Sequence, residues 1–307
     1  MTTDQSSDFI QRELAYEPQK LDSSQIQKEL ANLVFSLQEK AYAEANIDSL
    51  IYKDSTALAF LHIGQKYHWR HLSPGNIPPQ MLQKINFSDK KFAKNNFSPK
   101  SVHELSESLL TYAENNGYPF AEVGLDSFRI DGRMVDAQMK IKPGPYIIIE
   151  DIKIEGEGTP VNINFLRQYL GVVPEMPYSQ SLILSIARRI ESLSYLKLQK
   201  APFITFFGHS ATIHLHLVPK DASRFDFLIG VLPSSSSSNN QKRFLLTGSF
   251  DMELVNQLKR GEILAIKVEQ LRPLSPRMKL NIAFPYLFKM PVGLDSDFSL
   301  YKRDSNY

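Results

Sequence analysis

An internal repeat constrains the fold of this chain more than any other feature. The segment Tyr42–Leu50 matches Phe120–Phe128 at an offset of 78 residues: four of the nine positions are identical, and four more exchange one apolar or aromatic residue for another. About twenty residues further on, each copy reaches a glycine before an extended segment, at Gly64 and at Gly144. Because the match also reproduces its downstream context, we interpret it as a true repeat of supersecondary units.

The second unit of the repeat has its elements in the order β-α-α-β-β. An extended segment precedes a short helix opened by prolines. A longer helix follows, with a capping-box pattern at Ser101 and Glu104. Two strands then meet at the hairpin turn Asp131-Gly132. The predicted elements are Gly64–Leu72, Pro79–Ile85, a helix from Ser98-Pro99 to Asn116-Gly117, Ala121–Ile130 and Met134–Ile141.

A third unit repeats this order as far as Pro219, and a first unit repeats part of it. The first unit contains a long helix, Ser24–Lys40, and two strands, but its first strand and short helix are not recognisable. The longer helix of the third unit has a regular apolar face, formed by Leu182, Ile186, Ile190 and Leu193. The predicted elements of the third unit are Tyr146–Ile154, Asn162–Leu170, Tyr178–Leu193, Pro202–Phe207 and Thr212–Val218.

After residue 222 the pattern changes to strict alternation of apolar and polar residues. Strands of about ten residues with one apolar and one charged face suit a barrel with lipid outside and water inside. A soluble antiparallel sheet packed on one face would alternate in the same way. The apolar positions of the five segments are Phe225, Phe227, Ile229 and Val231; Phe244, Leu246, Phe250, Met252 and Leu254; Leu264, Ile266 and Val268; Leu280, Ile282, Phe284 and Tyr286; and Leu294, Phe298 and Leu300.

These patterns predict an α+β chain in which tandem β-α-α-β-β repeats precede the first antiparallel strands of a transmembrane β-barrel. The predicted divisions are 1–63, an incomplete first unit; 64–143 and 144–221, two full units; and 222–307, the start of the barrel. Because a membrane barrel needs at least about eight strands, we expect the chain to be a fragment of a longer protein. The polar segment Met1–Asp8 carries no secretory signal, which fits that expectation.

Charge and composition exclude several classes of function. The 35 Lys and Arg residues against 33 Asp and Glu residues give a net charge of +2, which is too balanced for a protein that mainly binds nucleic acid. The absence of cysteine excludes disulfides, thiolate metal sites and a cysteine nucleophile. No run of 18 apolar residues occurs, so no transmembrane helix is predicted.

Several residues suggest catalytic or metal chemistry, and a structural interpretation is preferred for each. His209, His214 and His216 lie near one another, but Asp221 is the nearest carboxylate in sequence, so we interpret them as histidines on an open sheet face. Asp295 and Asp297 share a strand face, which suits the water-facing wall of a barrel. We therefore predict no enzyme activity, no metal and no cofactor.

Motifs of the repeats resemble POTRA (polypeptide-transport-associated) domains. With a barrel directly behind them, residues from about 40 to 307 resemble the outer membrane assembly superfamily of BamA and TamA, also called bacterial surface antigens. The chain departs from this family in lacking the later barrel strands, where the family's lid-loop motif lies. The segments that carry the resemblance are Gly117-Tyr118-Pro119-Phe120-Ala121, Pro143-Gly144-Pro145-Tyr146 with Ile152–Gly156, and Phe165–Val172 with Pro177-Tyr178-Ser179.

The resemblance implies a function in outer membrane protein assembly. In that family, periplasmic repeats receive unfolded outer membrane proteins by adding the client as a strand to a sheet edge. It implies that the middle strand of each unit is that edge and that Arg224–Val231 is the strand at the barrel seam. The implied residues are Ala121, Val123, Leu125, Ser127 and Arg129; Phe203, Thr205 and Phe207; and, in the seam, Phe225, Phe227, Ile229 and Val231.

The implied partners are unfolded outer membrane proteins, accessory assembly lipoproteins and outer membrane lipid, with no nucleic acid. The implied location is the outer membrane, with the repeats in the periplasm. Two alternatives stay open. The barrel could serve structure, translocation or lipid transport, with the repeats as a stalk or conduit. It could also belong to a barrel-associated hydrolase whose enzyme domain precedes residue 1.

Overall fold

The computed structural model describes two compact units, Met1–Pro145 and Tyr146–Tyr307. No helix within the described ranges is long and apolar enough to cross a membrane. The residues whose structure is described are 2–4, 22–53, 56–93, 95–156, 158–234, 243–270, 275–287 and 292–302.

The first repeat is a three-stranded sheet with one described helix. Its elements are β1 (Thr2–Thr3), α1 (Ser23–Glu39), β2 (Asn46–Lys53) and β3 (Thr56–His62). The strand order is β1-β3-β2, with β1 parallel to β3 and β2 antiparallel to it. Strand β1 occupies the place of the first strand that the sequence did not reveal, because two residues are too short to show alternation.

The second repeat has the predicted order of elements. They are β4 (His68–Ser73), α2 (Pro79–Lys84), α3 (Pro99–Glu114), β5 (Glu122–Asp131) and β6 (Met134–Lys142), with a 3₁₀ turn at Asp89–Lys91 between the helices. The sheet order is β4-β6-β5, and β4 is parallel to β6. Trp69, Leu109 and Met139 are fully buried between the sheet and the helices.

The capping box predicted at Ser101 and Glu104 is wrong. Helix α3 begins at Pro99, and Ser98 is its N-cap, accepting from the Ser101 amide at 3.4 Å. Proline fits the first helical position because its fixed φ is already helical and its missing N–H has no helical partner to lose. The cap therefore falls on Ser98, and the Ser101 hydroxyl donates back to the Ser98 carbonyl at 2.8 Å.

The third repeat adds two short strands to the same plan. Its elements are β7 (Ile148–Glu155), α4 (Ile163–Leu170), β8 (Met176–Pro177), α5 (Gln180–Glu191), β9 (Leu196–Leu198), β10 (Phe203–Phe207) and β11 (Ser210–Pro219). The order is β10-β11-β7-β8, with β9 pairing the end of β11. Ile186 and Ile190 are fully buried, which confirms the predicted apolar face of α5.

A shared sheet topology confirms the repeat. In each unit the last strand is central, parallel to the first strand and antiparallel to the middle one. The two copies of the nine-residue match lead into or along β2 and β5, both at a sheet edge. Each of these strands has a bulge at a similar place, between Ile47 and Ser49 and between Asp126 and Arg129. Sequence identity and backbone irregularity therefore recur together.

A five-stranded antiparallel sheet follows the third repeat. Each strand pairs with the next, and the strands are β12 (Arg224–Ser234), β13 (Arg243–Val255), β14 (Ile263–Gln270), β15 (Arg277–Phe284) and β16 (Leu294–Tyr301). One register row is apolar across all five strands: Phe227, Phe250, Val268, Met278 and Leu300. The adjacent row is polar: Asp226, Asp251, Lys267, Lys279 and Ser299. Register thus turns the alternation of the sequence into two chemically distinct faces.

Candidate functional site

Strand β5 is the edge of the second repeat, where the first group of client-pairing residues is predicted. Ala121 precedes the strand, and Val123 and Leu125 pack against the core. Ser127 lies in the bulge with a φ of +53°, so it is not in ladder register with β6. Arg129 resumes the pairing, opposite Asp136. The predicted residues therefore lie on an edge strand, but a left-handed residue interrupts that edge.

Charged side chains also lie along β5. The Lys142 ammonium is 2.9 Å from the Glu122 carboxylate, and the Lys140 ammonium is 2.8 Å from that of Asp126. These hydrogen bonds lower the pKa of both carboxyl groups. Because the pairs are exposed, they add little stability. Their effect is to cover the edge with fixed charge.

Strand β10 is the edge of the third repeat, where the second predicted group lies. Its five residues pair with β11 without a register shift. Phe203, Thr205 and Phe207 lie on the outer sheet face, away from the helices, since side chains alternate along a strand. Phe207 is 88% exposed and Phe203 45%. No residue of Phe203–Phe207 carries a charge.

A row of side-chain contacts connects β10 to β11 and β7 of its sheet. The Thr205 hydroxyl is 2.8 Å from Nε2 of His214, and Nδ1 of His214 is 2.6 Å from the Glu155 carboxylate. Because a carboxylate only accepts, Nδ1 carries the proton, and the Thr205 hydroxyl can donate to Nε2 or accept from it. The Phe203 ring stacks on the imidazole, with centroids 4.6 Å apart and planes 6° apart.

This row overturns one part of the sequence interpretation. Asp221 was expected to be the nearest carboxylate to the histidines, but Glu155 contacts His214 directly. The hydrogen bond from His214 lowers the pKa of Glu155. Glu155 lies 59 residues earlier in the chain, on the parallel strand β7, so no local pattern could have revealed it.

The connection between β13 and β14, residues 256–262, docks on the third repeat. The side-chain amide of Asn256 donates to the Pro160 carbonyl at 3.0 Å, and the backbone amide of Asn162 donates to the Lys259 carbonyl at 2.7 Å. Glu262 is buried, and its carboxylate accepts from the backbone amides of Leu258 and Arg260. A buried carboxylate is tolerated when such donors satisfy it. We call residues 256–262 the docked turn.

Gly261 is the point of closest approach in the docked turn. Its φ is +72°, and a Cβ built there would lie 2.6 Å from Cζ of Phe165 and 2.5 Å from the Tyr195 hydroxyl. Val255 is buried in the apolar core of the third repeat, together with Phe165 and Tyr195. Burial raises the pKa of the Tyr195 phenol. The sheet and the third repeat therefore share one core.

Strand β12, the predicted seam strand, forms one end of the five-stranded sheet. Its four predicted residues share the apolar face, and their side chains are between 59% and 74% exposed. On the other face, the Asn281 amide donates to Asp295 at 2.7 Å and to Asp297 at 3.1 Å. The two aspartates thus share a face, as predicted, and one amide bridges them. The predicted seam residues are Phe225, Phe227, Ile229 and Val231.

No protein-family model and no curated protein matches this sequence. Among solved structures, BamA from Haemophilus ducreyi lacking POTRA domains 1–3 is similar, at 16% identity and a TM-score of 0.50 over 75% of this chain and 43% of that chain. POTRA domains 3–5 of Haemophilus influenzae BamA match at 13% identity and a TM-score of 0.46, over 72% of this chain and 94% of theirs. CdiB from Acinetobacter baumannii matches at 14% identity and a TM-score of 0.41, over 85% and 49%.

The chain spans less than half the length of the Haemophilus ducreyi structure. At 16% identity this likeness concerns the fold. It agrees with the three sheets of one topology and with the antiparallel sheet that follows them. The chain therefore has the POTRA-plus-barrel fold that BamA represents, with POTRA-type repeats ahead of an open sheet of barrel strands.

Proposed function

We propose that this chain is part of an outer membrane protein assembly and insertion factor. The single observation that carries the proposal is the coupling within the second compact unit. There, a repeat with an open sheet edge shares its core with a sheet that has one largely apolar face. Such a unit can hold an extended client beside a membrane-facing wall. The functional segments we propose are 1–63, 64–143, 144–221 and 222–307.

In the proposed arrangement, the sheet β12–β16 lies in the outer membrane and the repeats lie in the periplasm. Exposed apolar side chains such as Phe227, at 74%, would be covered by lipid. The polar face carries ion pairs, among them Arg224 with Glu253 at 2.8 Å and Lys267 with Glu269 at 3.0 Å. Water on that side would solvate these charges.

The proposed mechanism is strand addition. A sheet edge offers backbone N–H and C=O groups to an extended chain, and backbone pairing tolerates many client sequences. An open edge among the repeats would take up the client. The client would then pass to β12 at the seam. The partners in this proposal are unfolded outer membrane proteins, accessory assembly lipoproteins and outer membrane lipid.

Binding of an unfolded client by the 307-residue chain tests the proposal. The probe is a urea-unfolded, fluorescently labelled eight-stranded outer membrane barrel, diluted into detergent with increasing amounts of the chain. We expect saturable binding that an unfolded helical protein of equal length does not show. Equal binding of both unfolded proteins, or of neither, would contradict the proposal and favour a stalk or conduit.

A further inference from the structure

We propose that β10 is the edge at which clients pair, and that the edges of the first two repeats are closed to strand addition. The preferred occupant is an extended strand with one apolar face, the kind of strand from which β-barrels are built. This inference rests on the proposed function and narrows it to one edge, whereas the family resemblance implies the middle strand of every repeat equally.

Strands β2 and β5 carry the devices by which proteins protect sheet edges. A bulge adds an unpaired residue, bends the strand and breaks the row of evenly spaced backbone groups that an incoming strand needs. Strand β2 has one at Asp48, and β5 has one at Ser127, whose φ is +53°. Strand β5 also presents the charged side chains of Glu122 and Asp126.

The opposite edges of the three sheets are protected as well. Strands β1 and β8 have two residues each, and β8 ends in Pro177, which has no N–H to donate. Strand β4 has a register shift after Trp69, carries Arg70, and is bridged at His68 by Asn96. Across the described part of the repeats, β10 is the edge with a regular register, five residues and no charge.

The structure of β10 fits an occupant with one apolar face. On the outer sheet face, the Phe203 and Phe207 rings are exposed on either side of Thr205. A strand added beside β10 would place alternate side chains on that same face, against these rings. The hydrogen-bonded row from Thr205 through His214 to Glu155 holds β10 in its sheet while its outer side pairs. An uncharged edge of this kind is a hazard for aggregation when it is left unpaired, which favours a partner strand at this edge.

The test uses a peptide with the sequence of residues 224–234 of this chain, an 11-residue barrel strand, and the full chain in detergent. A Phe207→Lys variant places a charge on the β10 edge at a side chain that is 88% exposed, so folding is preserved. The matched control is Ile130→Lys, at a 51% exposed apolar residue of β5. We expect Phe207→Lys to weaken peptide binding by about tenfold or more, and Ile130→Lys to change it by less than about twofold.

Two further measurements separate the outcomes. The same peptide with Ile229→Pro loses a ladder donor, so it should bind at least about tenfold more weakly. A photo-crosslinking residue should capture the peptide at position 207 and not at position 130. Equal loss in both lysine variants, capture at 130, or undiminished binding of the proline peptide would overturn this inference and leave the proposed function intact. Failure of both the peptide and the unfolded barrel to bind would refute the proposed function and this inference with it.

Discussion

Replacing Gly261 by alanine should loosen the docked turn from the third repeat. A residue with a Cβ in the left-handed region costs about 1–2 kcal/mol. The added methyl group would also lie within 2.6 Å of atoms of Phe165 and Tyr195, two buried rings that belong to a packed core. Overpacking of this kind costs about 1–3 kcal/mol. The expected loss of stability is therefore about 2–5 kcal/mol.

Gly208→Ala provides the matched control. Gly208 lies in the turn between β10 and β11, in the same compact unit, with a φ of +59°. Among the described residues, a methyl group added there would have no atom within 4 Å apart from those of the adjoining residues. Its replacement should cost only the backbone strain, about 1–2 kcal/mol. The effect of alanine on the entropy of the unfolded chain is common to both variants and cancels in the comparison. The difference, about 1–3 kcal/mol, measures the packing of the docked turn.

Hydrogen–deuterium exchange with mass spectrometry gives the free energy of opening for peptides that cover residues 163–170 and 256–263. We expect Gly261→Ala to lower the opening free energy of both peptides, because the turn and helix α4 contact each other. Gly208→Ala should leave the opening free energies of both peptides unchanged relative to the global free energy of unfolding. If the two variants show equal protection in the docked turn, the packing argument is refuted.

Two other substitutions test an ion pair and the two sheet faces of the second compact unit, Tyr146–Tyr307. Arg167 donates to both carboxylate oxygens of Asp151, at 2.8 and 2.6 Å. Burial alone would raise the pKa of Asp151, but the hydrogen bonds from Arg167 and Ile152 and the charge of Arg167 outweigh it and lower that pKa. The stabilisation is therefore present above the unfolded pKa of about 3.9 and is lost as the pH falls through the folded value. Asp151→Asn should cost about 1 kcal/mol at pH 7, allowing for partial exposure, and this cost should disappear as the pH falls through the lowered folded pKa of Asp151, by urea unfolding followed by circular dichroism. Phe227→Arg should reduce flotation of the chain with liposomes, because an arginine on the lipid-facing side costs about 2–4 kcal/mol near the bilayer centre. Leu228→Arg, on the polar face, should not reduce flotation. Equal flotation of both variants would refute the assignment of the lipid-facing side.

Elements long enough to show a regular period were predictable from the sequence, and shorter elements were not. Strands β12–β16 each have at least eight residues, so the two-residue period placed their side chains on the correct faces. Helix α5 was predictable because its apolar residues recur at spacings of three and four. Strands β1, β8 and β9 have two or three residues, which is too few to show any period.

The site was less predictable than the fold, because its contacts join distant parts of the chain. His214 and Glu155 are 59 residues apart, and Asn256 lies 96 residues from Pro160. The bulge at Ser127 does leave a trace in the sequence, because the apolar residues of β5 shift there from odd positions, Val123 and Leu125, to even ones, Phe128 and Ile130. Single-sequence patterns report local preference, and pairing register between strands depends on the whole sheet.

The position of β10 within the second compact unit has a consequence for the proposed client transfer. Since β10 and β12–β16 belong to one compact unit joined through the docked turn, a client strand bound at β10 as proposed would stay at a fixed distance from the sheet. The chain contains no cysteine, so two introduced cysteines can carry spin labels without background. With labels at Phe207→Cys and Leu228→Cys, both at exposed side chains, we expect one narrow distance distribution. Adding Gly261→Ala should broaden it, whereas Gly261→Ala alone, with Phe207 in place, should leave the affinity for the strand peptide within about twofold, because the edge itself is unchanged. A narrow distribution in the alanine variant would show that contacts other than the docked turn hold the repeat to the sheet.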